Sequence, residues 1–270
     1  MIAPDQTTAQ IFSRLKSSER PYVITGPQAS YRYHRWLSPA PKVIELRIFP
    51  EDYEWWKNFL QNEVDFISDF PPTLNGTKNL GTAGLLKKNL SMQIYHNKRT
   101  FADLHYESPE DLCLELLQNS IAEITAMETL AILLLQKQTL RWGYFCEQAG
   151  VLGVAREAGI LLEVINEHTQ QSLMPQSVID RLFRKTAEVG VMKDHYYPHT
   201  WRVKLALRRQ NEKDLAITYP RTSRKWGIKV VLPRYIMDKL TLDLDYVLRN
   251  QIMASTSDLE NSRLTLQPVA

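Results

Sequence analysis

Ser108-Pro109-Glu110-Asp111-Leu112-Cys113-Leu114-Glu115-Leu116-Leu117, continuing to Gly150, is the stretch that decides the fold of this 270-residue chain. It opens as a helix should. Ser108 can accept from the first free backbone N–H groups, Pro109 loses nothing at the first helical position, and two carboxylates face the positive end of the dipole. Leu117, Ile121, Ile124, Met127, Ala131 and Leu134 then recur at three- and four-residue steps. Leu112, Leu116, Leu130, Leu133 and Leu135 widen that stripe until little polar face remains, which predicts helices buried on most of their circumference.

Working outward, the spacing predicts an α+β protein in three portions. An N-terminal αβ portion covers 1–106, central buried helices cover 107–175, and a basic helix-sheet-helix portion covers 176–270. In the first portion, Thr7–Ser18 reads as an amphipathic helix. Tyr22–Thr25, Tyr31–Leu37 and Val43–Phe49 read as strands, with a turn at Gly26-Pro27. A helix follows from Glu51 to Ile67, then a Gly- and Pro-punctuated loop from Asp69 to Asn89. A hairpin is expected between Met92–Tyr95 and Phe101–Tyr106. Gly150, Gly153 and Gly159 divide the helical centre into pieces, and Val151–Glu167 continues the helical pattern.

In the last portion, Pro175 starts a helix over Gln176–Val189 with Val178, Ile179, Leu182 and Phe183 inward. Alternation then predicts a C-terminal antiparallel three-stranded sheet covered by helices. Its strands are Trp201–Arg208, Leu215–Tyr219 and Trp226–Leu232, followed by a helix from Arg234 to Met253. Ser177-Val178-Ile179-Asp180-Arg181-Leu182-Phe183-Arg184-Lys185, ending at Gly190 and giving way to strands, resembles the recognition helix and wing of a winged-helix module over about fifty residues. It departs from that pattern in its polar lead-in at 170–175 and in its third strand.

Charge is unevenly distributed. From Phe101 to Pro175 there are three Lys+Arg against eleven Asp+Glu, and from Gln176 to Tyr235 fourteen against five. Arg202, Lys204, Arg208 and Lys229 would share one face of the predicted sheet, where like charges repel unless something neutralises them. Phosphate is one neutraliser, with Arg209, Arg221, Arg224 and Lys225 adding contacts from the loops, and Tyr219 and Trp226 offering stacking surfaces. The acidic middle, in this copy or a neighbouring one, is the other. The expected function is accordingly a non-catalytic subunit that binds DNA or RNA. The alternative is a structural subunit of a virion or other multi-subunit assembly, joined by acidic and basic surfaces of adjacent copies.

Nothing local points to catalysis. Gly76–Gly84 lacks the Gly-Lys-Ser/Thr of a phosphate loop. His195 and His199 are four apart, but Pro198 breaks the helix a metal pair would need. Glu45-Leu46-Arg47 imitates a nuclease strand without the accompanying lysine or an upstream aspartate. No cofactor or metal is expected. Cys113 and Cys146 lie 33 residues apart in apolar surroundings, so reduced thiols and a reducing compartment, the cytoplasm, are expected. Met1-Ile2-Ala3-Pro4-Asp5 does not open like a signal peptide, and the longest apolar run, Leu130–Leu135, is far below the ~20 residues of a membrane span.

Overall fold

The structure is a computed structural model that describes residues 6–34, 41, 43–60, 67–68, 85–119, 123–188, 200–202, 216–234, 237–238 and 241. The chain is mixed α+β and mostly helical. It divides into two compact units, one of Met1–Gln118 with Gln138–Gln148, the other of Asn119–Lys137 with Ala149–Ala270. No helix among the described residues is long and apolar enough to cross a membrane.

The first unit is built on a mixed sheet. Strand β1 (Tyr22–Thr25) pairs antiparallel with β2 (Ile44–Ile48), which on its other side runs parallel to β4 (Leu85–Asn89). β3 (Ile67–Ser68) joins the far edge of β4, and the hairpin β5 (Arg99–Phe101) and β6 (Leu104–Tyr106) joins β1 through β6. The strand order is β3-β4-β2-β1-β6-β5. Along β2 the side chains alternate: Ile44, Leu46 and Ile48 are buried, and Glu45 and Arg47 stand half-buried on the opposite face. Helices α1 (Gln6–Lys16) and α3 (Tyr53–Leu60) contribute Ile11, Leu15, Trp56 and Leu60 to the core.

Several sequence expectations change here. Gly26, at φ +58°, does not make a turn between strands but starts helix α2 (Gly26–His34), so Tyr31–His34 is helical. Ala29, Ser30, Tyr33 and His34 are buried while Arg32 is exposed, a spacing of 3.6 rather than 2. The segment Met92–Asn97 is a helix, α4, whose first turn is capped by the Ser91 hydroxyl accepting from Ile94 N–H. The hairpin therefore lies further on, turning at Ala102 and Asp103, both in the left-handed region. Leu85–Asn89, read as loop, is a strand.

The opening of helix α5 (Pro109–Asn119) is as expected: Ser108 Oγ accepts from Asp111 N–H at 3.1 Å. Just before it, Glu107 is buried beside the sheet. Its carboxylate accepts from Arg47 Nε at 3.1 Å and from Thr25 Oγ1, and its backbone N–H donates to Ile24. Arg47 reaches on to Glu115, which also pairs with Lys88 Nζ at 2.8 Å, and Lys88 lies 2.6 Å from Glu45. Arg47 and Lys88 are register partners on parallel strands, so Glu115 relieves a like-charge contact. Burial pushes the Glu107 carboxyl up to about 7, with Arg47 opposing and Glu115 adding to the rise. Burial works to raise Glu115 as well, but Arg47 and Lys88 outweigh it and hold that carboxyl below its ordinary value.

In the second unit, helix α6 (Glu123–Leu135) has five consecutive buried residues, Leu130 to Leu134, as the all-round apolar pattern predicts. Helix α7 (Trp142–Val151) belongs to the first unit as far as Gln148; the second unit resumes at Ala149 and passes through Gly153, at φ +72°, into α8 (Ala155–Thr169). α8 packs against α9 (Gln176–Glu188). The link between them is short and clamped: Gln170 ends α8 in the left-handed region, and the buried Asn166 amide bonds both N–H and C=O of Met174.

The C-terminal sheet differs from expectation. Strands β7 (Thr200–Arg202), β8 (Ala216–Thr218) and β9 (Lys229–Pro233) are ordered β7-β9-β8; β8 pairs antiparallel with β9, but β7 lies parallel to it. The fully antiparallel meander is thus corrected. The Pro220–Lys225 connection is helix α10 (Pro220–Trp226), ended by Gly227 at φ +66°. Pro220 at the first helical position and three helix-tolerant cations explain it. The glycine-rich 76–84 stretch, His195, His199 and most of the expected final helix lie outside the described residues. Cys113 and Cys146 are buried thiols, as expected.

Two predictions follow from this packing. Replacing Arg47 with Met lowers stability by about 3–5 kcal/mol near pH ~8, since it strands a buried carboxylate. Near pH ~5 the loss is smaller, because Glu107 then takes a proton instead of a cation. Urea unfolding at the two pH values measures both, and an equal loss would mean that Arg47 does not answer the Glu107 charge. In the second unit, a Cβ at Gly159 would collide with the buried Trp226 ring. Gly159→Ala therefore destabilises by about 1–3 kcal/mol through overpacking, against the usual helix preference for Ala; thermal unfolding reads the sign.

Candidate nucleic-acid interface

The eight cations expected to meet phosphate fall into three groups. Arg221, Arg224 and Lys225 lie on α10, and Lys229 opens β9. Arg202 is on β7, with its side chain outside the description, and Lys204, Arg208 and Arg209 lie outside the described residues. The structure therefore brings four of them together on one helix and the strand that follows it.

α10 is held from below by carboxylates of α8. Glu163, whose side chain is 2% exposed, takes Lys225 Nζ at 2.8 Å and Arg221 Nη2 at 3.4 Å. Glu167 accepts the backbone N–H groups of Arg221 and Thr222, at 2.9 and 2.7 Å, and the Thr222 hydroxyl. These bonds satisfy donors that the first turn of a helix leaves open. At the other end, Arg156 donates to Trp226 C=O, and the Ser223 hydroxyl bridges Tyr219 C=O and Val230 N–H. The acidic middle of the sequence thus meets the basic portion inside the second unit.

That arrangement uses Lys225, and Arg221 only in part, since 66% of the Arg221 side chain stays exposed. Arg224 and Lys229 are exposed, with no ion partner among the described residues. α9 lies alongside α10: Lys225 Nζ is 3.1 Å from Asp180, and the Phe183 and Trp226 rings meet edge to face at 5.1 Å. The Gln176 amide and the Lys225 ammonium hold the Asp180 carboxyl below its ordinary value, with Arg184 adding to the effect. Arg181 and Arg184 are exposed on α9. An open polar pocket of about 380 Å³ lies at the Glu167 end, lined by Asn166, Gln170, Gln171, Ser172 and Arg221.

Two features of this face escaped the sequence reading. Arg184 entered it only within the stretch that resembles a recognition helix and was not named among the phosphate contacts. Phe183 was read as inward, yet it is 42% exposed, because Val178, Ile179 and Leu182 fill the buried stripe and leave position 183 at its margin.

The other dense constellation, in the first unit, was legible only in fragments. Glu45-Leu46-Arg47 lacked a lysine in sequence, and the parallel strand supplies Lys88. Yet Glu107 and Glu115 face Arg47 and Lys88, so each cation is matched within the unit. Among the described residues no group of three His, Cys, Asp or Glu side chains is placed to hold a metal ion. Comparisons with protein families, with curated proteins and with solved structures returned no match for this chain.

Proposed function

We propose that the chain is a non-catalytic nucleic-acid-binding subunit that contacts phosphates through the face formed by α9, α10 and the start of β9. The observation that carries this reading is the pairing pattern on α10. Lys225 is tied to the buried Glu163, Arg221 pairs with the same carboxylate while keeping 66% of its side chain exposed, and Arg224 and Lys229 are exposed with no ion partner among the described residues, so the cations left at the surface are open to an anionic ligand. Arg202, Lys204, Arg208 and Arg209 extend the same basic stretch of sequence and are assigned to phosphates on composition alone. The buried Cys113 and Cys146 thiols fit a reducing compartment such as the cytoplasm.

A second reading, a structural subunit of a virion or other multi-subunit assembly, draws on the same charges. What favours it is that acidic and basic segments already meet through Glu163, a contact that adjacent copies could repeat. Light scattering separates the two: a defined oligomer that dissociates on combined Arg224→Glu and Lys229→Glu substitution supports assembly.

For the leading reading, affinity for a short oligonucleotide, followed by fluorescence anisotropy, falls with salt at a logarithmic slope of about 0.7–0.9 per phosphate contacted. Arg224→Ala with Lys229→Ala reduces that slope by roughly two contacts and leaves thermal stability within about 0.5 kcal/mol. Absence of binding to single strands and duplex alike at low salt would exclude the proposal.

A further inference from the structure

Resting on the nucleic-acid reading, we infer that Phe183 is a stacking surface for an unpaired base, so that the ligand is single-stranded rather than duplex nucleic acid. Among the described residues four large hydrophobic side chains are exposed, and three of them, Met92, Val151 and Leu152, lie in the first turn of a helix or in the turn that ends one. Phe183 is different. It sits in the middle of α9, where any polar residue would keep the helix, and it holds 42% of its surface in solvent between Arg181 and Arg184.

The ring also rests against a buried aromatic neighbour. Its edge-to-face contact is with Trp226, which is 5% exposed, seated against Gly159 and followed by a backbone carbonyl fixed by Arg156. A stacking surface of this kind needs an aromatic face that loses little freedom on binding and cations near enough to take the flanking phosphates. Arg184, the next residue of the same helix and exposed, supplies such a cation. Duplex bases are already stacked on each other and offer a protein their edges, whereas single strands offer their faces. An aromatic ring among phosphate-binding cations gains from the second and nothing from the first.

Phe183→Leu in the full chain is the test, because Leu keeps an apolar contact with Trp226 and removes the π face. Oligo(dT) and oligo(U) of roughly 20 nucleotides, and a duplex of equal length, are titrated by anisotropy at fixed salt, a length that covers the ~4–16 nucleotides typical of a single-strand site. The expected result is a loss of about 5- to 150-fold in single-strand affinity, with unchanged duplex affinity and an unchanged salt slope, and recovery with Phe183→Trp. Wild-type affinity for single strands in the Leu variant, or a wild-type protein that prefers duplex, overturns the stacking inference while leaving phosphate binding in place. A wild-type protein that binds neither probe overturns the underlying reading instead. A shift in melting temperature of the Leu variant without a loss of affinity marks Phe183 as packing only, which also counts against it.

Discussion

A glutamate taken out of water must be given a cation or a proton, and this chain meets that demand repeatedly in the same way. Glu107, Glu110 and Glu163 are each at most 1% exposed, and each faces at least one basic side chain: Arg47 for the first, Arg99 and Arg141 for the second, Arg221 and Lys225 for the third. Desolvating a carboxylate costs several kcal/mol, which only close, well-oriented partners offset. The partners come from distant parts of the sequence, so each pair also fixes which elements sit together. Glu107 ties the start of α5 to β2, and Glu163 ties α8 to α10. Apolar burial is the larger stabilising force in folding, and the buried ion pairs add directional contacts between specific partners.

This constraint explains which basic residues are available for anything else. A count of charges along 176–235 gives a strongly positive segment, but that count does not separate cations consumed by the interior from those left at the surface. The separation depends on helical phase. On α10, Arg221 and Lys225 are four apart and both reach Glu163, while Arg224, about 100° round the helix from Lys225, is exposed with no ion partner among the described residues. A sheet would have divided the same residues by odd and even number, giving a different exposed set.

The legibility of the sequence followed the range of the forces involved. Local signals were read correctly where one conformation dominates: the Ser108-Pro109 cap, the burial of Leu130–Leu134, the strand at Ile44–Ile48, the helix from Gln176. Misreadings arose where a short segment satisfied two periods at once. Tyr31 and Tyr33 alternate like a strand, but Ala29 and Tyr33 are also four apart, and burial decided for the helix. Leu85–Asn89 carries two adjacent lysines and no alternation. It becomes a strand because β2 offers a parallel edge and Glu115 and Glu45 stand ready for Lys88. The parallel pairing of β7 with β9 was invisible for a different reason: β9 lies between β7 and β8 in the sheet, and alternation within a strand carries no information about which strand lies beside it.

The residues that hold α10 in place and the residues proposed to meet a ligand are therefore different, and the difference has a physical consequence. A seven-residue helix is too short to persist by itself, because few of its backbone bonds repay the cost of nucleation. α10 survives because Glu167 satisfies its first N–H groups, Glu163 neutralises one side, Gly159 admits Trp226, and Gly227 releases the chain at its end. With the helix fixed by buried partners, Arg224 is presented from a backbone that need not order itself on meeting a ligand. Binding by such a surface loses less conformational entropy than binding by a loop of the same charge. A charge-matched sequence without Glu163 or Gly159 would keep the positive potential and lose the geometry, so the acidic middle of this chain serves its basic portion as a scaffold rather than only as a counterweight.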